Sequence, residues 1–198
     1  TAILDGSTVS FTASQDFNGS EEFTVTVTDG DLSASQTFTV TVNAINDAPT
    51  LAAVAGVSFD EDQSTLIQLS ANDVDGDDLT YSVSNGTDII ANLVGSSITF
   101  TAPQDFNGSE EFTVTVTDGE FSASQTFTVT VVAVNDTPVI ISDAIIEAIE
   151  DIEYSYQVDV EDPDNDTFIF TLTDAPEGMS VSDTGLITWT ATEGVLTS

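Results

Sequence analysis

The chain repeats itself every 89 residues, and no other feature limits its fold as tightly. Asn46-Asp47-Ala48-Pro49 returns 89 positions later as Asn135-Asp136-Thr137-Pro138. Gln15–Val42 and Gln104–Val131 differ at two of 28 positions, Asp31/Glu120 and Leu32/Phe121. A third copy has diverged but keeps step. Trp189 aligns with Phe100 and Phe11, Glu150-Asp151 with Glu61-Asp62, and Asp162, Asp164 and Asp166 with Asp73, Asp75 and Asp77. Repetition at a fixed period marks a tandem array, and a unit of this length suits a small β-sandwich. The 198 residues divide into 1–46, the C-terminal half of a repeat; 47–135, a complete repeat; and 136–198, the N-terminal part of a third. The expectation is a piece of a longer, linear array whose half-repeat exposes a hydrophobic face.

Within a repeat the pattern is that of strands. Phe23-Thr-Val-Thr-Val-Thr28 and Phe38-Thr-Val-Thr-Val42 alternate strictly, which puts Phe and Val on one face and Thr on the other. Valine and threonine are β-branched and favour extended backbone. Residues 8–13 read as a further strand, with an Asp/Asn/Gly turn after it at Gln15–Gly19. The complete repeat reads as strands over Val57–Phe59, Leu66–Leu69, Leu79–Val83, Ile89–Leu93, Ile98–Thr101, Phe112–Thr117 and Thr126–Val131. The third reads as strands over Ile145–Ile149, Tyr154–Val160, Phe168–Thr173 and Leu186–Thr190. Seven short strands with frequent turns and no helical period predict an all-β, Ig-like sandwich of two antiparallel sheets.

Charge narrows the partners. There is no Lys, Arg or His against 35 Asp plus Glu, a formal charge of −35. Such a field repels nucleic acid and anionic membrane. No apolar run approaches the ~20 residues of a membrane helix, so direct insertion is not expected. With no cysteine, disulfides and thiolate metal sites are excluded. Hydrophobic content of 40% with regular alternation sets the chain apart from acidic disordered tails.

In an up-and-down sandwich alternate loops lie at opposite ends. Asp73, Asp75 and Asp77, in one loop, and Asp118, in another, are expected at the upper end beside linker residues Asn46 and Asp47. Glu61, Asp62 and Asp105 are expected at the lower end, beside Asn135 and Asp136 and the third repeat's Asp162 and Asp164. Asp16, the counterpart of Asp105, joins the candidate ligands. Two carboxylates ~4 Å apart repel by roughly 4 kcal/mol at an effective dielectric near 20, so crowded acids call for a cation. Calcium takes six to eight oxygen ligands in flexible geometry, which suits this donor set better than magnesium; imidazole and thiolate metals find no ligands.

These residues carry a resemblance. The chain resembles tandem cadherin-like repeats of large bacterial surface and secreted proteins. The matching features are Glu61, Asp73-Val-Asp75-Gly-Asp77, Asp105-Phe-Asn-Gly108, Asp118-Gly119 and the Asn135-Asp136-x-Pro linker. The run Pro176-Glu-Gly-Met179 to Gly185-Leu-Ile-Thr-Trp189 is similar to the dystroglycan-type, putative-Ig variant. The linker departs from the cadherin pattern in having Ala44 and Ala133 where an Asp is usual. The resemblance implies calcium between repeats, a stiffened rod, an extracellular or cell-surface bacterial location, and adhesion, homophilic or to surface glycans. A second reading is an accessory carbohydrate- or protein-binding module of a secreted polysaccharide-degrading enzyme.

Other motifs read as structure. Asp73-x-Asp75-x-Asp77 is not an EF-hand, since Asp78 stands at the glycine position and Ser84 at the closing glutamate. Asp183-Thr184-Gly185 has no second copy to make a protease dyad and reads as a turn. Trp189, in register with Phe11 and Phe100, reads as a core aromatic. No nucleophile–base constellation is present, so the chain is not expected to be an enzyme.

Overall fold

A computed structural model describes residues 1–164 and 166–192. The chain packs as two compact units, the first Thr1–Val132 and the second beginning at Ala133. Within the described residues every regular element is a strand.

The first unit opens with two hairpins. Strand β1 (Ala2–Asp5) pairs with β2 (Thr8–Phe11), and β3 (Gly19–Thr28) with β4 (Ser33–Val42), both antiparallel. Strand β1 is not foreshadowed by periodicity, because its Ala-Ile-Leu-Asp is too short to show a period. The complete repeat follows as β5 (Thr50–Leu51), β6 (Val57–Asp60), β7 (Ser64–Gln68), β8 (Ala71–Asn72), β9 (Thr80–Val83), β10 (Ile90–Val94), β11 (Ser97–Thr101), β12 (Gly108–Thr117) and β13 (Ser122–Val132). One sheet has the order β6-β13-β12-β9 and the other β10-β11-β7, with a small β5-β8 pair beside them. The sheets are not wholly antiparallel as expected, because β6 runs parallel to β13, from Val57 beside Val129 to Asp60 beside Val132.

Between these sheets lies the core. Phe112, Val114 and Val116 of β12, Phe127, Val129 and Val131 of β13, and Ile98 and Phe100 of β11 are buried. Period-two alternation delivers them to one face, while the threonines between them turn outward and pair across the hairpin, Thr113 with Thr126 and Thr115 with Ser124. Phe100 packs edge-on against Phe112 at 5.0 Å and Phe127 at 6.0 Å between ring centroids. Their twins, Phe11, Phe23 and Phe38, form the same cluster at 4.8 and 5.9 Å. The half-repeat thus folds alike locally but stays uncovered: Val27 is 68% exposed, whereas Val116 is wholly buried.

In the second unit β14 (Val139–Ile140) pairs with β16 (Val160–Glu161), and β15 (Glu153–Gln157) with β18 (Leu186–Thr190), which also takes β17 (Ser180–Val181). Two expectations fail. Ile145–Ile149 and Phe168–Thr173 are not strands. Ile146 and Ile169 stand about nine-tenths exposed, so an apolar run without a neighbour to pair with does not become a strand. Trp189 is half-buried on β18 in the expected register, its indole N–H donating to the Glu177 carbonyl at 3.2 Å. Asp183-Thr184-Gly185 forms the turn into β18, Gly185 at φ 81°.

Candidate metal centre

The upper end of the complete repeat is organised by the loop after β8. Asp73 folds it: its Oδ1 accepts the amides of Asp75 at 2.8 Å and Gly76 at 3.2 Å, a local turn that short acidic side chains favour. Carboxylate oxygens of Asp73, Asp75 and Asp77 lie within 4.8 Å of one another. The other oxygen of Asp73, Oδ2, is buried and has no hydrogen-bond partner. A buried acceptor left unpaired is costly, and with no Lys, Arg or His in the chain no side-chain cation can reach it.

The linker docks onto this loop. The Asp47 amide donates to Asp75 Oδ2 at 2.8 Å, and the Asn46 side-chain amide donates to Asp118 Oδ2 at 3.1 Å. Partial burial raises the Asp47 carboxyl above its ordinary range, and the charges of Asp16, Asp75 and Asp73 push it further the same way. Burial also pushes Asp118 up, but the amides of Glu120 and Phe121, both at 2.7 Å from Oδ1, and the Asn46 side chain outweigh it and leave it lowered. The six residues read from sequence for this junction (Asp16, Asn46, Asp47, Asp73, Asp75 and Asp118) are therefore linked by hydrogen bonds or by charge. Asp77, placed at this end by the Asp-x-Asp-x-Asp run, belongs with them by geometry.

At the lower end of the first unit Glu61 is buried, 4% exposed, and its amide donates to the Val132 carbonyl at 2.9 Å. Asp105 is half-buried in a left-handed conformation, φ 57°, and its amide donates to Asp62 Oδ1 at 3.2 Å. Asp62, placed at this end by the sequence register, supplies that acceptor. It too is left-handed, φ 60°, as is its twin Asp151 at 61°; Asp16 matches Asp105 at 59°. Aspartate is one of the few residues other than glycine that adopts this conformation readily, so the repeat preserves backbone shape at its acidic turns.

The second unit carries its own copy of the acidic loop. The Asp136 amide donates to Asp164 Oδ2 at 2.7 Å, and the Asp164 amide donates to Asp162 Oδ1 at 2.9 Å. These are the Asp47–Asp75 and Asp75–Asp73 bonds displaced by one repeat. Asn135 differs from Asn46: its side-chain amide donates to the Asp136 carbonyl at 2.9 Å.

Hard oxygen donors alone line these loops. Such a set fits calcium, which accepts carboxylates, carbonyls and water in irregular geometry, and offers nothing to softer metals.

Comparison with known proteins agrees with the architecture. A family model described as a bacterial Ig domain matches residues 1–43 and 46–132, more than half of the chain. Among solved structures, Drosophila N-cadherin EC1-4 is similar with a TM-score of 0.51 at 16% identity, over 91% of this chain and 51% of that one. Human protocadherin-24 EC1-2 gives 0.50 at 19%, over 76% and 82%. An endo-fucoidan hydrolase of glycoside hydrolase family 107 gives 0.39 at 18%, over 97% of this chain and 33% of that one, a likeness too loose to carry an argument. The chain thus spans a third to about four-fifths of the lengths of these proteins. No curated protein matches. Among the described residues no helix is long and apolar enough to cross a membrane.

Proposed function

The chain belongs to the bacterial Ig domain family, and on that premise we propose that it is a non-catalytic, calcium-binding repeat region of a large secreted or cell-surface bacterial protein. Calcium stiffens the seam between successive sandwiches, and the stiffened array serves adhesion. The dystroglycan-like run of the third repeat fits the same role.

One observation carries this reading: Asp73 Oδ2 is buried and unpaired within an all-oxygen cluster that the linker, through Asp47, also joins. A cation there would use Asp73, Asp75 and Asp77 from the loop and Asp47 from the linker, with Asp118 and Asn46 fixing the linker's approach. Joining loop to linker is what would restrict bending at the seam. The fold likeness to cadherin ectodomains supports the architecture; the acidic geometry supports the metal.

Calorimetric titration of the whole chain tests it. Calcium binds with a dissociation constant in the ~10⁻⁴–10⁻³ M range of extracellular modules, magnesium binds more weakly, and the Asp73→Asn/Asp75→Asn double variant loses the first-unit sites. Absence of a calcium heat, or an unchanged heat in that variant, sinks the proposal.

A further inference from the structure

Strand β10 ends its sheet. It pairs with β11, and in the order β10-β11-β7 no strand lies along its other edge among the described residues. The ladder fixes which groups that edge presents. The Leu69 amide donates to the Ser96 carbonyl at 2.8 Å, so Ser96, Ile98 and Phe100 turn their main-chain groups toward β7. By alternation, Ser97, Thr99 and Thr101 turn theirs toward β10, where they meet Val94, Asn92 and Ile90. The amides and carbonyls of Ala91 and Leu93 therefore point outward along the edge. The side chains of Ala91 and Leu93 pack against the core. Ile90 and Val94 stand 61% and 70% exposed on the outer face, with exposed Asn92 between them.

An open edge is a template for another chain, and a charged side chain on it is a common guard. The other two repeats carry such a guard where β10 has Val94. The residue 89 positions earlier is Asp5 and the residue 89 positions later is Asp183, both exposed. Asp5 ends β1 opposite Thr8 just as Val94 ends β10 opposite Ser97. Strand β10 itself, Ile90-Ala-Asn-Leu-Val94, has no charge in a chain with 35 acids.

We infer that β10 pairs edge to edge with β10 of a second copy, antiparallel, about a two-fold axis through Asn92. The strand is its own complement when reversed: Ile90 falls opposite Val94, Ala91 opposite Leu93, and Asn92 opposite itself. In that register the outward amides and carbonyls of Ala91 and Leu93 meet those of Leu93 and Ala91 of the second copy. The alternation of the ladder is kept, with the two Asn92 residues as a non-hydrogen-bonded pair on the axis. On the outer face Ile90 and Val94 make two apolar cross-strand pairs, one on each side of it. Charge favours the same strand. Two chains at −35 repel, and a stretch without charge is where they touch at least cost. Asp88, the nearest acid before the strand, falls opposite Ser96 rather than opposite another acid.

The product is one continuous sheet, β7-β11-β10 joined to its two-fold mate through β10, an isologous contact made by strand addition. One short strand from each copy gives a small interface, of the weak and transient class. The pairing needs no cation, so it stands apart from the calcium reading and is expected in EDTA. Sodium chloride screens the repulsion between copies and strengthens the contact, whereas salt would weaken an interface built on ion pairs.

Sedimentation velocity and disulfide trapping of the full chain in EDTA decide it. The chain has no cysteine, so Asn92→Cys places a single thiol on the axis. Non-hydrogen-bonded partners lie about 4.5 Å apart between Cα atoms, inside the roughly 4.4–6.8 Å that a disulfide spans. Thr99→Cys is the control: one strand further in, it lies about 15 Å from its counterpart. The expected result is a reversible dimer whose fraction rises with protein and salt concentration. Asn92→Cys is expected to give covalent dimer several-fold faster than Thr99→Cys. Val94→Asp restores the aspartate of the other repeats at a side chain 70% exposed, and is expected to weaken association about tenfold or more. Asn92→Asp sets two carboxylates face to face on the axis and tests the same edge if far-ultraviolet dichroism shows Val94→Asp unfolded. A chain that stays monomeric at every concentration overturns the pairing. So does a dimer that survives both aspartate variants, or an Asn92→Cys link that forms no faster than the Thr99→Cys link.

Discussion

Individual carboxylates in this chain do opposite things, and their surroundings say which. Burial pushes Glu110 up, but the amides of Asp88, Thr87 and Ile89 outweigh it, so its carboxyl is held below the ordinary 4.5. A carboxyl lowered on folding stabilises above its unfolded value, and that contribution is lost as pH falls through the folded value. Glu110→Gln is expected to cost about 1–2 kcal/mol near neutral pH and to flatten the acid limb below pH 4.5; urea melts across pH check both. Asp47 has the reverse sign. Its folded value is raised above 3.8 by burial and by Asp16, Asp75 and Asp73. Its charged form is thus a penalty at neutral pH, relieved as pH falls through the raised value. Asp47→Asn should raise the melting temperature in EDTA and shrink the gain from calcium, which differential scanning calorimetry reads directly.

At the scale of strands and turns the twin hairpins make a controlled comparison. Val116→Ala empties a wholly buried site and is expected to cost about 1.5–3 kcal/mol. Val27→Ala, the same change on the same local sequence, falls on a side chain 68% exposed and should stay within about 0.5 kcal/mol. Chemical denaturation of the two variants tests whether the second half is the covered one. Gly86→Ala is a sharper probe of the turn before β10. A Cβ there would strike the Ile89 carbonyl and the Glu110 carboxylate and come within 2.8 Å of the Phe112 ring, so a loss of several kcal/mol is expected by the same assay. These hairpins were legible in the sequence because Phe-Thr-Val-Thr-Val has a period of two and a turn signal at Asp-Gly. The parallel course of β6 was not, since periodicity assigns faces and says nothing of direction. Ile145–Ile149 misled because its isoleucines favour strands, yet a strand also needs a neighbour. Of the site, the Asp-x-Asp-x-Asp loop and the Asn-Asp linker could be read from the 89-residue register. The left-handed aspartates Asp62 and Asp151 could not, because a conformation leaves no mark in composition; only their twinship hinted at it.

For the molecule as a whole, a charge of −35 with no basic side chain makes stability a matter of counter-ions. Monovalent salt should raise the melting temperature by screening repulsion at long range. On the proposed reading calcium should exceed sodium at matched ionic strength, because it would also bind: at one hundred times its dissociation constant a single site adds about 2.7 kcal/mol. Thermal melts in sodium chloride, magnesium chloride and calcium chloride at equal ionic strength separate the two effects.

The placement of Trp189 decides how those melts must be watched. It is the one tryptophan in the chain, and it lies on β18 in the second unit with its indole tied to Glu177. Intrinsic fluorescence excited at the indole band will therefore follow that unit and stay blind to the first. The first unit's unfolding has to be followed through its backbone, by far-ultraviolet dichroism or amide exchange. Two transitions that separate by probe are the expected optical behaviour of this protein.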